Sequence, residues 1–173
     1  ADYGHAFMSA SVNSQRVSDL VNGNILQLLA TEKDFYKVAY PDGRIAYLPK
    51  SQGNLYQKWV KKTNPNADQI LTVAKTFIGV PYLWGGTSVK GVDCSGFTKS
   101  TYFLNGIIIP RDASQQALVG LPVDVLENED ISVEKCLSNL KPGDLLFFSL
   151  SKRRGINGGR VTHTAIYMGN GEF

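Results

Sequence analysis

The chain has 173 residues, of which 43% are hydrophobic and 19% charged, and its net charge is +3. This length allows one domain or two small ones, and the composition is ordinary for a folded protein. No apolar run approaches the roughly 20 residues that a membrane span needs, so no spanning segment is predicted. Lys and Arg are mostly dispersed, which argues against nucleic acid as a partner.

The chain contains two cysteines, Cys94 and Cys136. Two cysteines do not form a disulfide framework, so a reactive thiol and a bridge both remain open. No motif surrounds Cys136, and we interpret it as structural. The two histidines, His5 and His163, lack metal-ligand spacing, and no phosphate-binding loop is present. We therefore predict neither a metal nor a cofactor.

Residues 11–60 predict short strands at 25–29, 35–40 and 44–48. Pro41-Asp42-Gly43, between runs rich in aromatic and β-branched residues, predicts a hairpin. Closely spaced short strands indicate a small all-β barrel. The polar stretch that follows predicts a boundary between two domains, residues 1–62 and 63–173.

Two helices are expected next. Asn64 and Pro65 predict the start of the first helix, and Gly79 predicts its end. Apolar residues at helical spacing predict that one face of it is buried. The residues of that face are Ala67, Ile70, Leu71, Ala74, Phe77 and Ile78. The second helix is predicted from Asp93 to about residue 105, with Phe97, Thr101 and Leu104 inward.

The C-terminal part predicts a short helix near 114–119 and strands at 145–148 and 161–168. Asn170-Gly171 is a strong signal for a hairpin turn. The chain ends at Phe173, just as a further strand would begin.

Cys94 and His163 are the residues most suited to chemistry. Cys94 lies at the predicted first turn of a helix, where free amides and the helix dipole favour an anion and could hold an oxyanion. A thiolate is the nucleophilic form of cysteine, and a histidine in hydrogen-bond reach could act as its base. A buried structural cysteine and a surface histidine are the alternative. Polar Asp93 and Ser95 beside the thiol, with Gly96 permitting close approach, favour catalysis.

Several motifs together resemble those of the NlpC-type cell-wall cysteine peptidases, in the same order along the chain. The motifs are residues 81–86 (PYLWGG), 93–96 (DCSG), 110–112 (PRD), 142–148 (PGDLLFF) and 163–169 (HTAIYMG). The resemblance covers roughly residues 66–173. Residues 10–60 resemble, more weakly, the bacterial SH3-like barrel that often precedes this domain.

The resemblance implies an α+β, papain-like domain that cuts the γ-D-glutamyl to diamino-acid bond of peptidoglycan stem peptides, the diamino acid being diaminopimelate. Cys94 would be the nucleophile and His163 the base. Tyr82 would help line the oxyanion site, or else lie in the core beside Trp84.

The resemblance also implies substrate contacts. Asp93 and Ser95 would bind the free amine of an L-Ala-γ-D-Glu peptide, which indicates wall recycling, although Asp93 could also cap its helix. Arg111 and Asp112 border the cleft: Arg111 would contact the D-Glu carboxylate, or pair with an aspartate in a tight turn. Asp19 would project towards the amine pocket, or lie in solvent.

Two features lie outside this pattern. Lys152-Arg153-Arg154, with Arg160, could meet diaminopimelate carboxylates or form a solvated loop. The group that orients the histidine would lie beyond Phe173, so we expect either a further C-terminal segment or a second polypeptide to complete the sheet.

Two other functions remain open: a non-catalytic peptidoglycan-binding protein, and a thiol amidase or acyltransferase of related fold. The resemblance implies a bacterial protein, periplasmic or secreted, with a cytoplasmic location also open.

Overall fold

Contacts between residues divide the chain into two units, Ala1–Thr63 and Asn64–Phe173. The computed structural model describes residues 3–149 and 160–173. Among these residues, no helix has the length and apolar content required to cross a membrane.

The first unit is built on one antiparallel sheet. Its strands are β1 (Tyr3–Phe7), β2 (Arg16–Val21), β3 (Gln27–Thr31), β4 (Phe35–Ala39) and β5 (Ile45–Pro49), in the order β2-β1-β5-β4-β3. The Pro-Asp-Gly turn closes the β4–β5 hairpin as predicted, with Gly43 at φ 84° and a hydrogen bond of 2.9 Å from Tyr40 N to Arg44 O. The core of this sheet contains Ala6, Val38 and Ala46.

The predicted all-β barrel needs correction in two respects. The sheet is not closed, because its edge strands β2 and β3 do not pair with each other among the described residues. The unit is also not all-β, since a short 3₁₀ helix at Lys50–Gln52 and helix α1 (Tyr56–Lys62) follow β5. The sequence analysis missed α1, and it also missed β1 and β2.

The second unit is α+β. Its helices are α2 (Ala67–Lys75), α3 (Cys94–Leu104), α4 (Ala113–Gln116) and α5 (Val133–Asn139). Its strands are β6 (Thr87–Ser88), β7 (Gly91–Val92), β8 (Leu126–Glu127), β9 (Asp130–Ile131), β10 (Leu145–Ser149) and β11 (Val161–Ile166). They pair antiparallel as β6–β7, β8–β9 and β10–β11.

Helix α2 confirms its prediction in part. Its N-cap is Asn66, whose side chain accepts a 2.9 Å hydrogen bond from Gln69 N, so the predicted cap at Asn64 is wrong. Ile70 and Phe77 are buried as predicted. Ile78 is 81% exposed, contrary to prediction, because the helix ends at Lys75 and the backbone turns before this residue.

Helix α3 is the centre of the second unit. It packs against α2 and against β11. Its Phe97 ring also meets the ring of Phe77, just after the end of α2, edge to face at 5.6 Å. Helix α4 packs against both α3 and β11. The start of α3 and strand β11 therefore belong to one packed cluster.

The predicted hairpin turn after β11 is confirmed. Asn170 and Gly171 both have positive φ, at 54° and 81°, as a type I′ turn requires. A single bridge joins Gly169 to Glu172 across this turn.

Candidate active site

Cys94 is the first residue of α3 and is half-buried. Asp93 is the N-cap: its backbone is extended, and its side chain accepts a 2.7 Å hydrogen bond from Gly96 N. The predicted helix start and the capping role of Asp93 are both confirmed. The first turn of a helix has backbone amides without intrahelical partners and a positive dipole end, so this position favours a negatively charged nucleophile.

The Asp93 carboxylate is the most highly bonded group at the site. Its Oδ1 accepts hydrogen bonds from Gly96 N at 2.7 Å, Arg111 Nη1 at 3.1 Å and Ser95 Oγ at 3.3 Å. Its Oδ2 accepts from Arg111 Nη2 at 2.6 Å and from Gly85 N at 2.9 Å. These donors occupy the acceptor positions that a carboxylate offers.

Charge pairing sets the protonation of this carboxylate. Burial acts to raise the pKa of Asp93, but the hydrogen bonds from Arg111, Gly96 and Gly85 outweigh it and hold that pKa below its usual range. The hydrogen bond to Asp93 in turn raises the pKa of Arg111. The pair therefore stays ionised at neutral pH.

A single guanidinium contacts the side chains on both sides of Cys94. Arg111 Nη1 donates to Ser95 Oγ at 2.9 Å as well as to Asp93. Arg111 does not pair with an aspartate inside the 110–112 turn, which was the alternative interpretation. Its partner is Asp93, across the site.

The loop before β6 packs closely over the first turn of α3. Asp93 N donates to Gly86 O at 3.2 Å, and a Cβ built on Gly96 would lie only 1.9 Å from that same oxygen. Only glycine fits at this position, which confirms the close approach predicted for Gly96.

Tyr82 lies on the same loop, paired in a β-bridge with Val92, two residues before Cys94. Hydrogen bonds on either side of it join Leu83 N to Val92 O at 3.0 Å and Val92 N to Pro81 O at 3.1 Å. Tyr82 is 66% exposed and Trp84 is 86% exposed. The alternative of a core aromatic beside Trp84 is therefore wrong.

His163 is the third residue of β11 and is exposed. It lies opposite Phe148 on β10, with ring centroids 5.8 Å apart, and the Phe148 ring also contacts Phe173 at 5.5 Å. The register shifts between Phe148 and Ser149, which makes Thr162 the extra residue of a bulge. Bulges of this kind change the direction of a neighbouring side chain, so the bulge helps to set the orientation of His163.

The remaining predicted residues are not part of this network of bonds. Asp112 occupies the N-cap position of α4, is exposed, and makes no side-chain cap hydrogen bond among the described residues. Asp19 belongs to the first unit, where its Oδ1 lies 3.1 Å from His5 Nδ1. The basic cluster 152–154 lies outside the described residues.

Gln116 is a site residue that the sequence analysis missed. It is completely buried on α4, and its amide bonds to α3 and to the loop before α4. A glutamine in a four-residue helix carries no periodicity signal, so only the folded structure reveals its place.

Metal binding finds no support at this site. Within residues 3–149 and 160–173, no group of three or more His, Cys, Asp and Glu side chains could hold a metal ion. Cys136, on α5, is a free cysteine like Cys94.

A known protein family matches the part of the chain that contains this site. The sequence model of the NlpC/P60 family matches residues 79–173, more than half of the chain. The chain belongs to the NlpC/P60 family. The matched region contains Cys94, His163, Tyr82 and the whole Asp93–Arg111 network.

Known NlpC/P60 relatives extend the similarity into the first unit. The gamma-D-glutamyl-L-lysine dipeptidyl-peptidase of Bacillus cereus is 38% identical over 148 residues, covering 86% of this chain and 40% of that protein. The enzyme of the same name from Bacillus subtilis is 34% identical over 168 residues, covering 97% of this chain and 49% of that protein. The chain thus spans about half the length of these relatives or less.

A solved structure also matches. The crystal structure of an NlpC/P60 family protein from Bacillus cereus superposes with a TM-score of 0.74 at 32% identity. The match covers 98% of this chain and 50% of that one. Both units therefore have counterparts in a single NlpC/P60 protein.

Proposed function

We propose that this protein is a cysteine peptidase that hydrolyses the γ-D-glutamyl to diamino-acid bond of peptidoglycan stem peptides. One observation carries the proposal: Cys94 opens a helix that packs against the strand bearing His163. Membership of the NlpC/P60 family and the names of the two Bacillus relatives support it.

Cys94 and His163 would share the chemistry. The Cys94 thiolate attacks the γ-carbonyl carbon of D-Glu, after His163 has taken the thiol proton. The imidazolium then gives that proton to the leaving amine, and a thioester forms. His163 next takes a proton from water, which attacks the thioester carbon. The C–S bond breaks, the peptide acid leaves, and the imidazolium returns its proton to the Cys94 thiolate.

The developing oxyanion needs donors that are in place before the reaction. Backbone amides at the start of α3 would supply some of them, together with the Tyr82 hydroxyl. The bridge between Tyr82 and Val92 supports this role, because it holds the tyrosine backbone close to the residue that precedes the nucleophile turn, residues 93–95.

The free amine of L-Ala-γ-D-Glu peptides would be recognised by a carboxylate of the second unit. Asp93 and Asp112 are the two candidates, and they differ in charge balance. Asp93 is already neutralised by Arg111, whereas Asp112 is exposed and has no cap bond among the described residues. We therefore expect Asp112 to contribute more to amine affinity and Asp93 more to the shape of the site.

The first unit would act as an SH3-like module for the wall or the substrate. Its antiparallel five-stranded sheet supports an SH3-like assignment. Recognition of a free amine would direct the enzyme to released peptides, and hence to wall recycling in a bacterium.

Mass spectrometry of cleavage products tests the proposal. The intact protein is incubated with L-Ala-γ-D-Glu-L-Lys, with the diaminopimelate peptide, and with the N-acetylated form of each. We expect a cut after D-Glu in the free peptides and much less in the acetylated ones. Equal cutting of both forms would overturn amine recognition. Binding to peptidoglycan without cleavage would instead identify a non-catalytic protein.

A further inference from the structure

Gln116 joins two parts of the site through a fully bonded, fully buried amide. Its Nε2 donates to Ser95 O at 3.1 Å and to Pro110 O at 3.0 Å, and its Oε1 accepts from Thr98 Oγ1 at 2.8 Å. An amide has two N–H donors, and here each of the two faces a carbonyl oxygen. The orientation of Gln116 is therefore unambiguous.

Packing alone does not require a glutamine at this place. A buried amide loses its bonds to water, so a methionine of similar length would fill the volume without that cost. A completely satisfied buried polar group instead fixes its neighbours in one arrangement. The neighbours of Gln116 are the backbone of the residue after Cys94 and the backbone of the residue before Arg111.

Arg111 completes the connection from the same short segment. Its guanidinium contacts Asp93 at 2.6 and 3.1 Å and Ser95 at 2.9 Å, the residues that flank Cys94. Segment 110–116 thus contacts the nucleophile turn, residues 93–95, twice. The Arg111 guanidinium bonds to the Asp93 and Ser95 side chains, and the Gln116 side-chain amide donates to the Ser95 backbone carbonyl. We name this arrangement, of Arg111 and Gln116 on the turn 93–95, the nucleophile clamp.

We propose that Gln116 is a positioning residue for the reaction: it holds the Pro110 carbonyl against the start of α3, so that Arg111 keeps Cys94 in attack geometry. This rests on the proposed role of Cys94 as nucleophile. Reaction rates are sensitive to displacements of about 1 Å, which can cost about a hundredfold. The clamp acts on the rate of attack and not on substrate affinity.

The test compares Gln116→Met with Gln115→Met, its exposed neighbour on α4. Both variants are made in a Cys136→Ala background of the intact protein, so that Cys94 is the one thiol left within residues 1–173. Circular dichroism first confirms folding. Two rates are then measured: alkylation of Cys94 by iodoacetamide, and cleavage of L-Ala-γ-D-Glu-L-Lys.

We expect Gln116→Met to lower kcat at least about tenfold, equivalent to about 1.4 kcal/mol of transition-state stabilisation, with KM changed less than about threefold. The alkylation rate should change in the same variant. Gln115→Met should match the parent in both assays. A folded Gln116→Met with parental kcat and alkylation would overturn the proposal.

Two other results would also have a definite interpretation. If the parent does not cleave the peptide, the proposed function fails, but the alkylation rates still test the clamp. If Gln116→Met does not fold, Arg111→Lys replaces it, because lysine keeps the charge and loses the two-pronged contact. A fall in kcat and a changed alkylation rate support the clamp, whereas a change in KM alone would assign Arg111 to substrate binding and overturn it.

Discussion

Replacement of Gly96 by alanine is the sharpest structural test of the site. The new Cβ would lie 1.9 Å from Gly86 O, 3.1 Å from Gly86 C and 3.0 Å from Asp93 Oδ1. Two of these atoms are backbone, and the third is a buried carboxylate held by several donors. Because none can rotate away, α3 and the loop over it must move apart.

The magnitude follows from what that movement disturbs. Overpacking of this kind costs about 1 to 3 kcal/mol, and weakening the charged cap bonds of Asp93 adds about 1.5 to 3 kcal/mol. Replacing glycine by alanine within a helix returns about 1 kcal/mol. We therefore expect Gly96→Ala to lower the free energy of unfolding by about 3 kcal/mol.

Urea denaturation of the intact protein measures this value, with Gly79→Ala as control. Gly79 has a φ of 86° and nothing within 4 Å of its added Cβ, so it reports the backbone cost alone, about 1 kcal/mol. A Gly96→Ala variant that is no less stable than Gly79→Ala would refute the reasoning from close packing.

Three other predictions concern neighbouring groups. The pKa of Asp93 is lowered on folding, so its charge stabilises the protein fully above the ordinary aspartate pKa of about 3.9. That stabilisation is lost as the pH falls through the lower folded pKa. In acid unfolding, the stability of Asp93→Asn should therefore fall less steeply with pH than that of the parent. The Thr101 hydroxyl is buried without a hydrogen-bond partner among the described residues, so Thr101→Val should be neutral or stabilising by up to about 1 kcal/mol. Thr98→Val loses the hydrogen bond to the Gln116 amide and should destabilise the protein by about 1 kcal/mol. Thermal melts of the two variants measure both effects. Phe148→Leu should lower kcat about three- to tenfold with little change in KM, because its ring contact holds the His163 imidazole; an unchanged kcat would remove Phe148 from the site.

Local signals in the sequence were sufficient to predict the helix that carries the candidate nucleophile. Asp93 indicated the start of α3, because aspartate is a preferred N-cap residue and an N-cap needs only its own side chain and the first turn. The Asn170-Gly171 turn was predictable for the same reason. The cap of α2 was predicted two residues too early, at Asn64 instead of Asn66.

Features that depend on distant contacts could not be predicted. Strands β1 (YGHAF) and β2 (RVSDLV) show no regular alternation of polar and apolar residues, and helix α5 is too short to show a periodic face. The pairing of Arg111 with Asp93 and the bonds of Gln116 to α3 join positions 18 to 21 residues apart. Only the packing of α4 on α3 brings them together.

Cleavage of L-Ala-γ-D-Glu-L-Lys by two matched alanine variants tests the central claim most directly. Cys94→Ala and Cys136→Ala each remove one free thiol from the intact protein. Release of lysine, followed by mass spectrometry, should be abolished in Cys94→Ala and unchanged in Cys136→Ala. Turnover retained in Cys94→Ala would contradict the role of Cys94 as the nucleophile.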